Sequence, residues 1–463
     1  NLSDLTKPDY NHQFYVDLTP SINDIYTSIN STLDWYTVLV GGVGGGGKGY
    51  FALNITDPGS FDSEANAAAN VLWEFTEADD GGAGSSDLGY SFGRPLLAMS
   101  NANDGSPKQN RKWVAIFGNG YNSTSANGNA ILYVLFIDGG TDGAWDAADM
   151  VKIDTGVGKA SSADGATPNG LSDVRGVDID LDGSVDYVYA GDLQGNLYRF
   201  DLSSTNTADW KTSTKRLFQA AYGGTVQPIT KRPVVIKHPD KSGFIIVVGT
   251  GSWITTDDAT STDIQSIYGI WDDMSASPLV TNSDLVEQSF TNEAAREGGF
   301  AVRTLSDNPI KWANQKGWYI DLDVPPAGGA GVEFPGERAT RDFLLRSGLL
   351  FVNTIIPKDP NTCGGTPGGF TLGFNPVTGG AHSDPVFDID ANGVFDVGDN
   401  VDDTDGSDHV VAGLRHDQST PADSSFISDV LVTQRSDKTV QSMKTNTGGD
   451  TNTGRFSWRE LKP

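Results

Sequence analysis

One unit recurs along this chain and limits what it can become: an apolar run, a turn carrying Gly or Asn, then an aromatic and aliphatic run that often closes on Asp. It occurs at Tyr36–Asp57, Trp113–Asp138 and Tyr187–Leu202, and again at Phe244–Asp273, Phe300–Asp323, Leu349–Pro376 and Asp429–Lys444. Each copy reads as a β-hairpin, because alternating or continuous apolar runs flank turn residues. Seven such hairpins predict an all-β, seven-bladed β-propeller, in which each small sheet packs on its neighbours and irregular insertions become loops. Length alone would suggest about three domains, but propellers grow large as single units, so residues 1–463 are expected to form one propeller domain. HQFYVDLTP (His12–Pro20) and FSWRELKP (Phe456–Pro463) read as lone strands that share one closing blade.

The third hairpin is preceded by VDIDLDGSVD, which places Asp178, Asp180 and Asp182 at alternate positions, then Gly183, Ser184 and Asp186. A Ca²⁺ loop needs this spacing: carboxylates at positions one, three and five converge, glycine at six permits the turn, and position seven offers its carbonyl. Position twelve is Tyr189, inside an apolar β pattern, so this is a calcium loop without an EF-hand, and Asp186 supplies the last carboxylate. A solvated Asp-Gly turn is the bland alternative, which four acids at matching offsets outweigh. Oxygen-only ligands favour Ca²⁺ over transition metals.

FDIDANGVFDVGDN repeats the pattern with Asp388, Asp390, Asn392, Gly393, Val394 by its carbonyl and Asp396, and adds Asp399 at position twelve. It is expected to be a second, more completely coordinated Ca²⁺ site. The runs Asp402–Asp408 and Asp138–Asp146 each miss an early ligand position and read as surface loops. So do the Gly/Ser/Ala-rich tracts Asp79–Asp87, Ser123–Asn129 and Thr445–Thr453.

Other chemistries find little support. Gly41–Gly49 superficially resembles a phosphate loop, but Gly49 stands where Ser or Thr must bind Mg²⁺, and a β run follows instead of a helix. The five histidines show no zinc-helix spacing and there is no Gly-x-Ser-x-Gly elbow, so catalysis has no sequence anchor. A net charge of −28 and a pI near 4.3 exclude nucleic acid and anionic lipid as partners of the bulk surface. Cys363 has no second cysteine to pair with and reads as a small buried apolar residue. No apolar run approaches the ~18 residues of a membrane span. The chain begins at Asn1 with neither Met nor a signal-like segment, which suggests excision from a longer precursor with its export signal upstream.

VDIDLDGSVDYVYAGDLQGNLYRFDL resembles the C-terminal domain of the type IV pilus tip-associated proteins, the PilY and PilC family of pilus biogenesis factors and adhesins. The likeness extends to KGYFALNITDP, LGYSFGRP, WVAIFGNGYNS, QSIYGIWD and SWRELKP, nearly the whole chain. The resemblance implies a modified seven-bladed propeller whose calcium loop regulates pilus extension against retraction, and hence twitching motility, and whose surface contributes to adhesion. It maps the family's calcium ligands onto Asp178, Asp180, Asp182, Ser184 by its carbonyl, and Asp186. It also implies minor pilins of the pilus tip and a host or abiotic surface ligand as partners. The location implied is the cell surface, at the pilus tip or outer membrane of a Gram-negative bacterium. The isolated domain is expected to be a monomer and not an enzyme. Some members carry an Arg-Gly-Asp tripeptide for integrins, but the nearest match here is Arg175-Gly176-Val177. Two alternatives differ in class. AGDLQGNLYRFD also resembles strands of quinone-dependent dehydrogenase propellers, although those generally carry adjacent cysteines. A carbohydrate- or protein-binding propeller unrelated to pili is the other.

Overall fold

The apolar runs pair into successive antiparallel meanders. The structure, a computed structural model, describes residues 6–7, 10, 13–29, 31–82, 84–102, 111–162, 165–275, 279–297, 300–325, 332–357, 367–402, 408–417 and 419–447. Strand accounts for 45% of it and helix for 6%, which settles the all-β class. The chain divides into two compact units, one of residues 1–193 and 198–215, the other of 194–197 and 216–463.

In the first unit, β1 (Ser21–Ile29), β2 (Thr32–Gly42), β3 (Gly49–Asn54) and β4 (Val71–Thr76) form a four-stranded meander. A second meander follows: β5 (Leu96–Ser100), β6 (Trp113–Gly118), β7 (Ile131–Phe136) and β8 (Met150–Asp154). After the short hairpin β9 (Ala160–Ser162) and β10 (Gly165–Thr167) come β11 (Leu171–Val177), β12 (Ser184–Val185), β13 (Tyr187–Asp192) and β14 (Asn196–Asp201). β11, β13 and β14 lie side by side in that order, whereas β12 leaves them and pairs parallel with β5.

Strands β6 and β7 show why their runs are apolar without alternation. Val114, Ile116, Leu132 and Val134 enter one core with Val188, Tyr198 and Trp210. The intervening Ala115, Phe117, Tyr133 and Leu135 enter a second core with Val40, Tyr50 and Phe75. Successive side chains point to opposite faces, and here both faces are covered. This is what radially packed sheets require of their middle strands.

The second unit contains all but the first residue of β15 (Lys215–Gln219), the short pair β16 (Ala221–Tyr222) and β17 (Thr225–Val226), and β18 (Val234–Lys237), β19 (Phe244–Gly249) and β20 (Ser266–Asp272). Next come β21 (Val286–Gln288), β22 (Phe290–Glu297), β23 (Phe300–Leu305), β24 (Gly317–Asp321), β25 (Leu344–Arg346), β26 (Leu349–Asn353) and β27 (Gly369–Phe374). The last are β28 (Asn400–Asp402), β29 (Asp408–His416), β30 (Pro421–Ile427), β31 (Val430–Arg435) and β32 (Val440–Lys444). They assemble as β18–β19–β20–β24–β21, as β22–β23–β29–β27–β26–β25 with β28 on β29, and as β30–β31–β32.

Six of the seven expected hairpins are present: β2–β3, β6–β7, β13–β14, β19–β20, β26–β27 and β31–β32. The run Phe300–Asp323 is not a hairpin. β23 pairs with β22 and with β29, while β24 joins β20 and lies parallel to β21. The expected strand at His12–Pro20 is also absent over the described Gln13–Pro20, where Phe14, Tyr15 and Val16 are exposed. The first meander instead begins at Ser21, with Ile25, Thr27 and Ile29 buried in alternation. Phe456–Pro463, Asp403–Ser407 and Cys363 lie outside the described residues. Gly41–Gly49 is a β2–β3 hairpin connection, as its missing hydroxyl suggests. The tract Asp79–Asp87 is less exposed than its composition suggests. Asp80 is buried and accepts hydrogen bonds from Ser86 Oγ, Tyr133 Oη and Lys152 Nζ at 2.9, 2.7 and 2.8 Å.

Candidate metal centre

The connection from β11 to β13 cannot be a tight turn, because β12 must first reach across to β5. Residues 178–183 make that detour. Leu181 and Gly183 take φ values of +61° and +94°, and at position six a glycine avoids the strain that any other side chain would meet. The backbone so folded turns its amides on the acids. Gly183 N donates to Asp178 Oδ2 at 2.8 Å, Asp182 N to Asp180 Oδ1 at 3.2 Å, and Ser184 N to Asp182 Oδ1 at 2.9 Å. Ile179 N donates to Asp186 Oδ2 at 2.8 Å.

Carboxylate oxygens of Asp178, Asp180 and Asp186 all lie within 4.8 Å of one another. Asp178 Oδ1 is buried without a hydrogen-bond partner, a costly arrangement for a charged acceptor unless a cation faces it. The residues therefore fit a hard cation that takes oxygen ligands. Asp182 stands outside the cluster. Its Oδ2 accepts from Arg111 Nη1 at 2.7 Å, and Arg111 also donates to Ser184 Oγ. Burial works to raise the Asp182 carboxyl, but the Ser184 amide and the Arg111 guanidinium outweigh it and hold the group below the usual carboxylate range. Asp186 is fixed by Asn101, whose Nδ2 donates to Asp186 Oδ1 at 2.9 Å and to the carbonyls of Val185 and Leu202. Arg111 and Asn101 lie some 70 to 85 positions away in sequence, and no local pattern marks them.

The loop before β28 is built to the same plan. Ala391 and Gly393 have φ of +58° and +84°. Gly393 N donates to Asp388 Oδ2 at 3.1 Å, Asn392 N to Asp390 Oδ1 at 3.0 Å, and Val394 N to Asn392 Oδ1 at 2.6 Å. Here the closing carboxylate is Asp399: it accepts from Ile389 N at 2.6 Å and gathers with Asp388 and Asp390 within 4.8 Å. Asp396, at the position equivalent to Asp186, is not one of the three. It caps a short 3₁₀ turn, Val397–Asp399, by accepting from Gly398 N at 2.8 Å. Burial pushes the Asp399 carboxyl above the usual range, against backbone donors from Ile389, Asp396 and Asp390, and the Asp390 charge adds to the rise.

Residues 1–301 match the family model described as the PilY1 beta-propeller domain. The type IV pilus biogenesis factor PilY1 of Pseudomonas aeruginosa strain UCBPP-PA14 is 32% identical over 433 residues, covering 84% of this chain and 33% of that protein. A PilY1 homologue of Xylella fastidiosa is 32% identical, covering 99% of this chain and 32% of its own length. The chain thus spans about a third of the length of the curated relatives it matches. Among solved structures, the crystal structure of the P. aeruginosa PilY1 C-terminal domain superposes with a TM-score of 0.70 at 28% identity, covering 94% of this chain and 84% of that one. The meanders are those of a β-propeller.

Proposed function

The chain belongs to the PilY1 β-propeller family, and we propose that it is a calcium-binding, non-enzymatic domain of a type IV pilus biogenesis factor, displayed at the pilus tip or cell surface. The observation that carries the calcium reading is the convergence of Asp178, Asp180 and Asp186, one of whose oxygens, Asp178 Oδ1, is buried without a partner. The pilus reading is supported by relatives named as type IV pilus biogenesis factors, which are not named as enzymes.

Asp178, Asp180 and Asp186 hold the cation, with the Ser184 carbonyl and a reoriented Asp182 completing the set. When bound, Ca²⁺ supplies the positive charge that offsets the mutual repulsion of these carboxylates. Asp186 has a second task. Its backbone carbonyl accepts from Leu202 N at 2.7 Å, and its own amide donates to Val177 O at 2.9 Å, so the closing ligand also joins β11 to the end of β14. The loop thereby ties cation occupancy to the order of one sheet. Through that sheet it would bear on extension against retraction, on adhesion, and on contacts with minor pilins and a host or abiotic surface.

The test is calorimetric titration of Ca²⁺ into the chelator-stripped protein and Asp186→Asn, paired with twitching of cells carrying the same substitution in the full-length protein. Loss of a binding event together with altered twitching is expected. Equal heats and affinities in both proteins would rule the loop out as a calcium site.

A further inference from the structure

We propose that Asp388–Asp399 is a second, independent Ca²⁺ site, closed by Asp399 and not by Asp396, whose occupancy fastens β32, the last strand among the described residues. A buried, unsatisfied acid carries the case. Asp388 is 7% exposed and Asp399 1%, and Asp388 Oδ1 has no hydrogen-bond partner. That oxygen belongs to the side chain that converges with Asp390 and Asp399 within 4.8 Å. Among the described residues no Lys, Arg or His forms an ion pair with any of the three. Lys444 directs its Nζ to the Gly393 carbonyl at 2.8 Å and lies 4.0 Å from Asp429. A divalent ion would relieve the repulsion among two buried carboxylates and one exposed one, and would face the buried Asp388 oxygen that no donor satisfies. The donors are all oxygen, which selects a hard ion, and a set of several protein carboxylates and a carbonyl suits Ca²⁺ better than Mg²⁺, which keeps several of its waters. Asn392 and the Val394 carbonyl are the remaining protein donors at matching offsets.

The site is joined to β32 and the residues just after it by backbone. Asp388 N donates to Lys444 O at 3.0 Å, Phe387 bridges Thr445, and Asn446 N donates to Val386 O at 2.9 Å. The Lys444 side chain returns to Gly393 within the loop itself. A loop whose carboxylates repel one another pulls on these bonds, and a filled loop relaxes onto them. Asp396 has a different duty, capping the 3₁₀ turn that presents Asp399.

The experiment uses the whole chain stripped with EGTA, titrated with CaCl₂ by calorimetry and followed by amide hydrogen exchange. In Asp186→Asn one binding event should remain, and Ca²⁺ should slow exchange at the Asp388 and Asn446 amides. Asp399→Asn should weaken that event at least about tenfold, the scale on which even outer-shell changes act on metal sites, and abolish the slowing. Asp396→Asn should keep both. Asp390→Asn, at an exposed position, repeats the Asp399 test with little risk to folding. The proposal is overturned if Asp399→Asn and Asp390→Asn titrate like their parent, or if Ca²⁺ leaves the Asn446 amide unchanged. If only these two variants lose heat while Asp186→Asn does not, the first-loop reading fails and this one stands.

Discussion

Arg111 Nη1 donates to Asp182 Oδ2 at 2.7 Å, which holds a carboxylate of the first acidic loop away from the cluster formed by Asp178, Asp180 and Asp186. The guanidinium is largely buried, with its side chain 10% exposed, so its charge is poorly screened. Arg111→Gln should therefore tighten Ca²⁺ binding, both by releasing Asp182 as a ligand and by removing a cation beside the site. A gain of about two- to fivefold corresponds to the sub-kcal/mol worth of a partly screened charge pair. Calorimetry on the chelator-stripped variant reads it, and an unchanged or weaker affinity would show that Arg111 supports the loop and does not compete with it.

How much of this was legible in the sequence depends on how far apart the partners lie. Local hairpins such as Trp113–Asp138 were legible, because each strand finds its mate across one turn and both faces demand apolar residues. Phe300–Asp323 looked the same and is not, since β23 finds β29 about 110 positions on, and nothing in a local apolar run encodes that choice. The loops were legible as far as spacing goes. Gly183, Gly393 and the first acids follow from backbone geometry within a few residues. The third carboxylate of the second cluster was only half legible, because Asp396 and Asp399 are both acids at acceptable offsets, and Asp396 caps the 3₁₀ turn that carries Asp399. Arg111 and Asn101 carry no local signal at all.

Arg303 and Glu337 form an ion pair whose side chains are both 0% exposed, with Nη1 2.9 Å from Oε2 and Thr354 Oγ1 donating to Oε1 at 2.7 Å. The Phe370 ring lies 3.6 Å from the guanidinium carbon. Glu337→Ala leaves a buried charge without its counterion and should cost about 3–5 kcal/mol in denaturant unfolding. Adding Arg303→Met should recover part of that loss, because it removes the guanidinium left buried without a counterion, while the space vacated by the Glu337 side chain remains. A double variant no more stable than Glu337→Ala would show that packing around the pair dominates, not its charge.

His416 ends β29 with Nε2 2.7 Å from Thr371 Oγ1, and burial, with the Arg435 charge adding, pushes its imidazolium down to about 4. The folded protein thus binds its proton less readily than the unfolded chain, and stability falls as pH drops from the unfolded value of 6.5 towards 4. By pH 5 the loss should be on the order of 2 kcal/mol. His416→Gln should flatten this part of the profile, read as melting temperatures at pH 7 and pH 5. An equally steep acid decline in the variant would assign it to other groups.

Asp321 presents the opposite sign. Burial raises its carboxyl to about 6, the Ser266 hydroxyl opposes this from 2.5 Å, and the charges of Asp323 and Glu287 add to the rise. Ser266 Oγ itself accepts from Gln227 Nε2, and Gln227 Oε1 from Tyr268 Oη, so the carboxyl sits at the end of a polar chain inside the second unit. Because the folded state holds this proton more tightly than the unfolded one, the group's contribution is best below about pH 4 and is lost as pH rises through 6. Asp321→Asn keeps the carbonyl acceptor for Ser266 and removes the charge. It should therefore raise the melting temperature at pH 8 and change it little at pH 4, where the native carboxyl is already neutral. Melting curves at the two pH values decide it, since an equal shift at both would mean that the substitution acts through packing and not through the buried charge.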